Sequence, residues 1–252
     1  HSYGSARNYV TFCGTYVYSF DKDDLRRDMT CVPYKYDKDL NQEIDMGVTG
    51  MGVGKWSKLY MQSPLGASSG SNTGINSVRM RFADVLLMYA EAVNELYGPR
   101  DDAKEALKRV RRRAFDAAQW TDKVESYVES LTNEADFFQA VMDERKWEFG
   151  GEGIRRYDLI RNNKVGMAID NFHKRTSAMI SDLKSKGYHT FDNGNTISSY
   201  IWVKKVNPAD FGVNYRLTTT CTDKTNPVLF PGWRGQNDDW ASVASSNGTS
   251  TK

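Results

Sequence analysis

Residues 137–162 read FFQAVMDERKWEFGGEGIRRYDLIRN, and they carry the most specific information in the chain. Apolar residues recur at helical spacing through the first half of this stretch: Phe138, Val141, Met142 and Phe149. Arg145 falls on the same side of that helix. Because a buried and unpaired charge is strongly destabilising, Arg145 predicts a carboxylate partner. Gly150 and Gly151 should end the helix, and a second charged helix should follow.

The charged residues of this stretch predict a group of ion pairs around one helix–glycine–helix corner. With Glu91 from an earlier helix, the predicted members are Glu144, Arg145, Glu148, Glu152, Arg155, Asp158 and Arg161. Glu91 is our first choice of partner for Arg145, because it interrupts another apolar helix and also needs an opposite charge. Paired carboxylates are the catalytic groups of glycoside hydrolases, but without a cleft they do not indicate that activity. A structural lattice of ion pairs is therefore the favoured interpretation.

A second apolar helix is predicted within VRMRFADVLLMYAEAVNELYG, residues 78–98. One stripe of it holds Phe82, Val85, Leu86, Tyr89, Val93 and Leu96. Further apolar residues extend around most of the circumference, so we expect this helix to be buried. Gly98 and Pro99 stop it, and Asp101 and Asp102 begin the next helix at its positive end. The inward face of that next helix is predicted to be Ala103, Ala106, Leu107, Val110 and Ala114.

The composition narrows the class of protein. The 34 basic and 32 acidic residues give a net charge of only +2, so no field for nucleic acid or an acidic membrane is predicted. No apolar run approaches the roughly 18 residues that a membrane span needs. The chain begins at His1 without an initiator Met or a signal peptide, and we expect it to be a piece of a longer protein.

The residues that bind metals and cofactors are sparse. The three histidines are scattered, and Cys13, Cys31 and Cys221 lack metal-ligand spacing, so we expect no metal site and no cofactor. Cys13 and Cys31 could form a disulfide in an oxidising compartment or could remain free thiols. An acid-rich turn at residues 20–28 could be a calcium loop, but it lacks the glycine and distal glutamate of an EF-hand. A structural role for this turn is favoured.

A ligand site is predicted on loop aromatics of the N-terminal third. Residues 46–77 are rich in Gly, Ser and Asn, and Lys55 and Trp56 stand together among the glycines. An exposed tryptophan suits a ring-shaped ligand, although a tryptophan beneath a loop can instead fill the core. Tyr34 and Tyr36 lie in another loop-rich segment and are predicted to line the same face.

Two motifs resemble one known family. The pattern E-R-x-x-E-[LF]-x-x-E-G-x-R-x-x-D-L-x-R is matched by Glu144, Arg145, Glu148, Phe149, Glu152, Gly153, Arg155, Asp158, Leu159 and Arg161. A helix of the type A-[DE]-V-L-L-x-Y-A-E-A is matched from Ala83 to Ala92. Both are similar to the SusD/RagB family of outer-membrane nutrient-binding lipoproteins. In that family the first motif is architectural and not catalytic.

The resemblance implies a mostly α fold of tetratricopeptide-like helix hairpins (an α-α superhelix), with long irregular loops and a few short strands. We expect one domain, the C-terminal portion of a family member. Its predicted parts are a loop-rich segment at residues 1–77, helical hairpins at 78–187 and an extended segment at 188–252. At least two antiparallel hairpins are expected in the middle part.

The same resemblance implies a function. Members bind an oligosaccharide or a peptide at the cell surface and deliver it to a SusC-like TonB-dependent transporter. The chain is then a non-enzymatic protein of the outer membrane, held by an N-terminal lipid anchor that lies upstream of this sequence. The alternatives are an α-helical protein–protein scaffold without glycan binding, and a glycoside hydrolase.

Overall fold

The structure is a computed structural model of the chain. The residues that it describes are 9–32, 34–36, 42–44, 51–58, 61, 63, 65–69, 72, 74–76, 78–198, 200–204 and 240–244.

The chain divides into two compact units. The helical unit consists of Asp24–Arg26 and Asn76–Val165. The mixed unit consists of His1–Asp23, Arg27–Ile75 and Gly166–Lys252.

Four α-helices longer than a single turn form the described framework of the helical unit. They are α3 (Phe82–Tyr97), α4 (Asp101–Arg112), α6 (Glu134–Glu148) and α7 (Arg155–Arg161). The labels α1 and α2 belong to two short helices earlier in the chain, Gly14–Val17 and Leu25–Thr30. A three-residue connection makes α3 and α4 a helical hairpin, and α6 packs against both of them.

The ends of these helices follow from local sequence. Gly98 ends α3 with a φ of 76°, a left-handed conformation that favours glycine. Asp101 and Asp102 occupy the first turn of α4, where they complement the positive end of the helix dipole. The Asn133 side chain accepts a hydrogen bond of 2.9 Å from the Asp136 N–H and caps α6. The predicted stop at Gly98 and the predicted start of α4 at Asp101 and Asp102 are confirmed.

The core of the helical unit is built largely from small and medium side chains. Its α4 face is the predicted one, with Ala103, Ala106, Leu107, Val110 and Ala114 all buried. Phe137, Val141 and Phe149 contribute the α6 side and its end.

The buried face of α3 is not the predicted one. Ala83, Asp84, Leu87, Ala90 and Asn94 are buried. Four members of the predicted stripe are instead exposed: Phe82, Val85, Tyr89 and Leu96. The helix is apolar around most of its circumference, so periodicity alone does not select a face. Alanines on the chosen face let α4 and α6 approach closely, and the bulky residues remain outside.

The segment at residues 121–131, which links α4 to α6, is largely helical. A π-helical segment, Thr121–Ser126, runs directly into a short helix, α5 (Tyr127–Glu129). Val124 and Val128 lie one turn apart and are both buried, which stabilises the helical conformation here.

The mixed unit contains the described strands and the longest described helix, α8 (Val165–Ser185), of which all but Val165 belongs to it. A three-stranded antiparallel sheet has the order β1 (Thr11–Phe12), β5 (Met51–Val53), β2 (Cys31–Val32). The other strands form antiparallel pairs: β3 (Tyr34–Tyr36) with β4 (Gln42–Ile44), β6 (Tyr188–Thr190) with β7 (Thr196–Ser198), and β8 (Tyr200–Lys204) with β9 (Trp240–Ala244). The described strands are two to five residues long, whereas α3 and α8 reach 16 and 21 residues. The mostly α class is confirmed.

Candidate functional site

Fourteen charged side chains of the helical unit lie in one group, which we call the charged cluster. Its members are Asp24, Arg26, Arg81, Asp84, Glu91, Arg111, Arg113, Glu144, Arg145, Glu148, Glu152, Arg155, Asp158 and Arg161. They come from α3, α4, α6, α7 and the segment Asp24–Arg26, and from three residues that flank these helices: Arg81, Arg113 and Glu152.

Arg145 is buried on α6 and is held by two carboxylates. Its Nη1 donates to Asp84 Oδ1 of α3 at 2.7 Å, and its Nε donates to Asp158 Oδ2 of α7 at 2.8 Å. The side chain therefore ties three helices together, and its charge is compensated by hydrogen-bonded partners as burial requires.

The predicted pairing of Glu91 with Arg145 is wrong. Glu91 instead accepts two hydrogen bonds from the guanidinium of Arg161, one of them 2.6 Å from Nη2. Asp84 occupies the place expected for Glu91, because it lies on the buried face of α3 while Glu91 is only half-buried. Arg161 also donates to Asp158, so both arginines share that carboxylate.

Glu144 is a fully buried carboxylate that joins distant parts of the chain. Its Oε1 accepts from Arg26 Nη1 at 2.6 Å, and its Oε2 accepts from Arg111 Nη1 at 2.8 Å. Arg26 also donates two parallel hydrogen bonds to the Asp24 carboxylate, and this geometry strengthens guanidinium–carboxylate pairing.

Arg111 links the cluster to the π-helical segment. Its Nε and Nη2 donate to the Lys123 carbonyl at 3.2 and 2.9 Å, and its guanidinium stacks 4.1 Å from the ring centre of Tyr127. A π-helical turn disturbs the regular backbone ladder, and here one of its carbonyls accepts from a side chain.

Glu148 receives hydrogen bonds from three arginines: Arg26, Arg81 and Arg113. Burial alone would raise the pKa of Glu148, but the charge of Arg26 and the hydrogen bonds of Arg81 outweigh it, so its pKa lies below the ordinary value. Burial likewise opposes the charge on Arg26, yet the carboxylates of Glu144 and Asp24 raise its pKa. The pair is therefore ionised at neutral pH.

The ring of Phe149 contacts two arginines that bind different carboxylates of the charged cluster: Arg81 binds Glu148, and Arg145 binds Asp84. The guanidinium groups of Arg81 and Arg145 lie 4.4 and 5.2 Å from the ring centre of Phe149. Arg81 also pairs with Glu152 in the glycine corner, at 2.9 Å from both Nε and Nη2. Arg155 donates to the Met142 carbonyl at 2.8 Å and so fixes α7 against α6.

The hydrogen bonds between arginines and carboxylates in the cluster are suited to stabilisation. A glycosidase general acid needs a carboxyl group whose pKa is raised. Among the described carboxyl groups with a clearly shifted pKa, each is lowered: Asp102, Glu125, Glu129, Asp143, Glu148 and Asp182.

Six partners in the cluster were not in the sequence prediction: Asp24, Arg26, Arg81, Asp84, Arg111 and Arg113. Arg26 and Glu144 are 118 positions apart, so no local spacing could have paired them. Asp84 carried a usable signal, since it is a charged residue that lies between apolar residues of α3 and matches the family helix.

The Trp56 turn, Gly54–Ser57, follows strand β5 in the mixed unit. The Ser57 N–H donates to the Gly54 carbonyl at 3.1 Å, so Lys55 and Trp56 occupy the two corner positions of a β-turn. The Gly54 N–H donates to the Thr30 carbonyl at 2.8 Å. A Cβ on Gly54 would lie 2.5 Å from the Met29 carbonyl oxygen, so glycine is required for this close approach.

The exposed fraction of Trp56 is 36%, and Lys55 is half-buried. The structure therefore brings these two predicted site residues to one turn. Tyr34 and Tyr36 lie on strand β3, paired in register with Ile44 and Gln42, and their side chains fall outside the described part of the structure.

The described part of the chain bears on the predictions about metal ions and cysteines. There, no group of three or more His, Cys, Asp or Glu residues is arranged to hold a metal ion. Cys13 and Cys31 are free thiols, and Cys221 falls outside the described residues. In the acid-rich turn, Asp21 accepts from the Asp23 N–H and Asp24 binds Arg26.

Comparison with known proteins identifies the family. The model of the SusD family matches residues 7–227. The chain belongs to the SusD family. A relative, the SusD-like protein P25 of Formosa agariphila, is 44% identical to this SusD-family chain over 90 residues, which are 36% of this chain and 16% of P25. The match thus spans under a fifth of that relative. No solved structure matches the chain.

Among the described residues, no helix has the length and apolar character needed to cross a bilayer.

Proposed function

We propose that this SusD-family protein binds an oligosaccharide at the cell surface and delivers it to a TonB-dependent outer-membrane transporter, without catalysis. The observation that carries the proposal is membership of a family of nutrient-binding proteins, matched over residues 7–227. The proposal includes attachment to the outer membrane by a lipid anchor in the full-length protein, and a SusC-like partner.

The Trp56 turn is the proposed ligand platform. An exposed indole offers a flat apolar face for one side of a sugar ring, and a neighbouring charged group can bond hydroxyls or acidic substituents. The turn is held in place by the hydrogen bond from Gly54 to Thr30, so the platform is organised before binding. Tyr34 and Tyr36 are proposed as further members of the same face.

The charged cluster is proposed as the scaffold. Its carboxylates are occupied by arginines, and Glu148 is kept ionised. These features support a binding protein over a glycoside hydrolase, because a hydrolase needs one carboxyl group in its protonated form at working pH.

A protein–protein scaffold is the second candidate, and the outer face of α3 favours it. Phe82, Val85, Tyr89 and Leu96 expose an apolar stripe along the whole helix. Contiguous apolar surface of this kind is typical of interaction sites.

Titration calorimetry of the chain against a panel of oligosaccharides and peptides separates these functions. Saturable heat with an unchanged ligand supports the proposed binding function, and chromatography of the recovered ligand checks that no bond was cleaved. Cleavage products would favour a hydrolase. Saturable heat with peptides alone would favour a peptide-binding member of the family. No heat of binding with any ligand of the panel would favour the protein–protein scaffold.

A further inference from the structure

We propose that Asn193 is a site of spontaneous deamidation, and that this covalent change releases the hairpin of β6 and β7 from the segment Tyr18–Phe20. An Asn–Gly pair, Asn193–Gly194, stands in the turn of that hairpin, and its side-chain amide donates to two carbonyls of the segment. Neither the modification nor its effect involves the proposed ligand.

The backbone of the turn between β6 and β7 is closed by hydrogen bonds. The Gly194 N–H donates to the Phe191 carbonyl at 2.9 Å, so Asp192 and Asn193 occupy the two corner positions of a β-turn. Gly194 has a φ of 81°, the left-handed conformation that favours glycine. The Asn193 side chain is exposed at this turn.

The Asn193 side chain also anchors the turn to an earlier part of the mixed unit. Its Nδ2 donates to the carbonyl oxygens of Tyr18 and Phe20 at 2.9 and 3.1 Å, and its Oδ1 accepts from the Asn195 N–H at 3.2 Å. The Asn195 Nδ2 donates to the same two carbonyl oxygens, at 2.8 and 2.7 Å. Two neighbouring amides therefore hold the hairpin against the segment Tyr18–Phe20.

The sequence around Asn193 favours the loss of its amide nitrogen. The deprotonated backbone nitrogen of Gly194 can attack the side-chain carbonyl carbon, which forms a cyclic imide and releases the amide nitrogen as ammonia. Water then opens the imide and leaves aspartate or isoaspartate, so the reaction needs no other reactant. Gly194 has no Cβ to hinder the attack, whereas Asn195 is followed by the β-branched Thr196. The two anchoring amides thus differ in the step that starts the reaction.

The modification removes a donor on which the anchoring depends. An ionised carboxylate only accepts hydrogen bonds, so at position 193 it would face the carbonyl oxygens of Tyr18 and Phe20 without an N–H to share. The folded turn in return slows the reaction, because the amide of Asn193 is held and the Gly194 N–H is bonded to the Phe191 carbonyl. Deamidation therefore proceeds when the hairpin opens, and the product does not restore the lost contacts.

Reaction rates in the folded and the denatured chain test the site. The parent is kept at mildly alkaline pH with and without urea, and peptide mapping by mass spectrometry separates Asn193 from the other Asn–Gly pair, Asn247–Gly248, which lies outside the described residues. We expect Asn193 to deamidate in urea and to react at least about tenfold more slowly in the folded chain. At least two hydrogen bonds must open first, and a factor of ten corresponds to about 1.4 kcal/mol. Asn195 is the matched control and should remain an amide in both samples over the same time.

Hydrogen exchange tests the effect on the hairpin. Asn193→Asp reproduces one product of the reaction, and Asn193→Ala removes the donor without adding a charge. The N–H groups of Phe191 and Gly194 should exchange faster in both variants than in the parent, by about tenfold in Asn193→Asp, because two anchoring hydrogen bonds are lost. Deamidated parent, isolated by ion-exchange chromatography, should exchange as fast as Asn193→Asp.

Each of three results would overturn the proposal. Persistence of the Asn193 amide in urea would show that this residue is not a modification site. Equal rates in the folded and the denatured chain would show that the contacts with Tyr18 and Phe20 do not hold the side chain. Exchange as slow in the deamidated parent as in the unmodified parent would show that the hairpin is not released. The parent alone supplies all three results, so they remain decisive if a variant fails to fold.

Discussion

At the scale of single residues, arginine–carboxylate pairs of this chain lie in very different surroundings. Arg145 is buried between Asp84 and Asp158, whereas Arg175 on α8 pairs with Asp192 and both side chains are well exposed. Removing one partner of a buried pair leaves a stranded charge, but solvent compensates for the loss of an exposed pair.

Arg145→Met should therefore lower the free energy of unfolding by about 3–5 kcal/mol, because it takes the cation from the buried Asp84 and one of two arginines from Asp158. Arg175→Met removes an exposed pair and should cost under about 1 kcal/mol. Chemical denaturation of both variants measures the difference. Equal midpoints for parent and Arg145→Met would show that the charged cluster is not structural.

The lowered pKa of Glu148 predicts how the free energy of unfolding changes as the pH falls. Burial opposes its charge, but Arg26 and Arg81 hold its pKa below the ordinary value of 4.5. A carboxylate with a depressed folded-state pKa contributes stability above its unfolded pKa, and this is lost as the pH falls through the folded pKa. The free energy of unfolding should consequently decline from about pH 4.5 downward.

Glu148→Gln should be less stable than the parent at neutral pH and should show a shallower acid decline, since this carboxylate no longer takes up a proton on unfolding. Glu105→Gln, at an exposed carboxylate paired with Arg112, is the control and should cost under about 1 kcal/mol at neutral pH. Denaturant unfolding across the pH range gives both slopes. A Glu148→Gln slope as steep as that of the parent would contradict the role assigned to this residue.

At the scale of elements, α3 shows how small residues decide which face of a helix is buried. Leu87 is 0% exposed within the core, while Leu96 on the opposite face is 70% exposed. Both are leucines of the same helix, so they form a matched pair.

Leu87→Ala should cost about 2–5 kcal/mol, because it opens a cavity among closely packed helices. Leu96→Ala should change the stability by less than about 0.5 kcal/mol. The measurement is the denaturant midpoint of each variant. Similar losses for the two would mean that the bulky face of α3 is also covered in solution.

The same helix shows what could be predicted from sequence. The existence of α3, α4 and α6 and the stop at Gly98 followed from local rules of capping and periodicity. The buried face of α3 did not follow, because its apolar residues surround the helix and only contacts with α4 and α6 select one side.

For the ion pairs too, the local sequence predicted where charged residues lie but not which distant residues pair with them. The charged motif located the corner and made Arg145 the residue that needed a partner. It could not choose between Glu91 and Asp84, which differ by seven positions and hence by about two turns of the same helix. Arg26 approaches from 118 positions away, and such pairs are specified by the tertiary structure alone.

At the scale of the whole molecule, we assign structural support and ligand binding to different parts of the chain. We propose that the charged cluster of the helical unit is structural and that the Trp56 turn of the mixed unit binds the ligand. Two tryptophans make this separation testable, since Trp56 and Trp120 are almost equally exposed, at 36% and 37%. Trp120 differs because its Nε1 donates to the Arg112 and Phe115 carbonyls, each at 3.0 Å.

The most direct measurement is titration of Trp56→Ala and Trp120→Ala with the oligosaccharide that the parent binds, alongside thermal melting of each. Trp56→Ala should lose about 2 kcal/mol of binding, roughly thirtyfold, and should melt near the parent's temperature. Trp120→Ala should keep the parent's affinity and melt at a lower temperature, because two carbonyls lose their donor. Unchanged affinity in Trp56→Ala would remove this residue from the ligand site, and a collapsed melting temperature in that variant would place its side chain in the core.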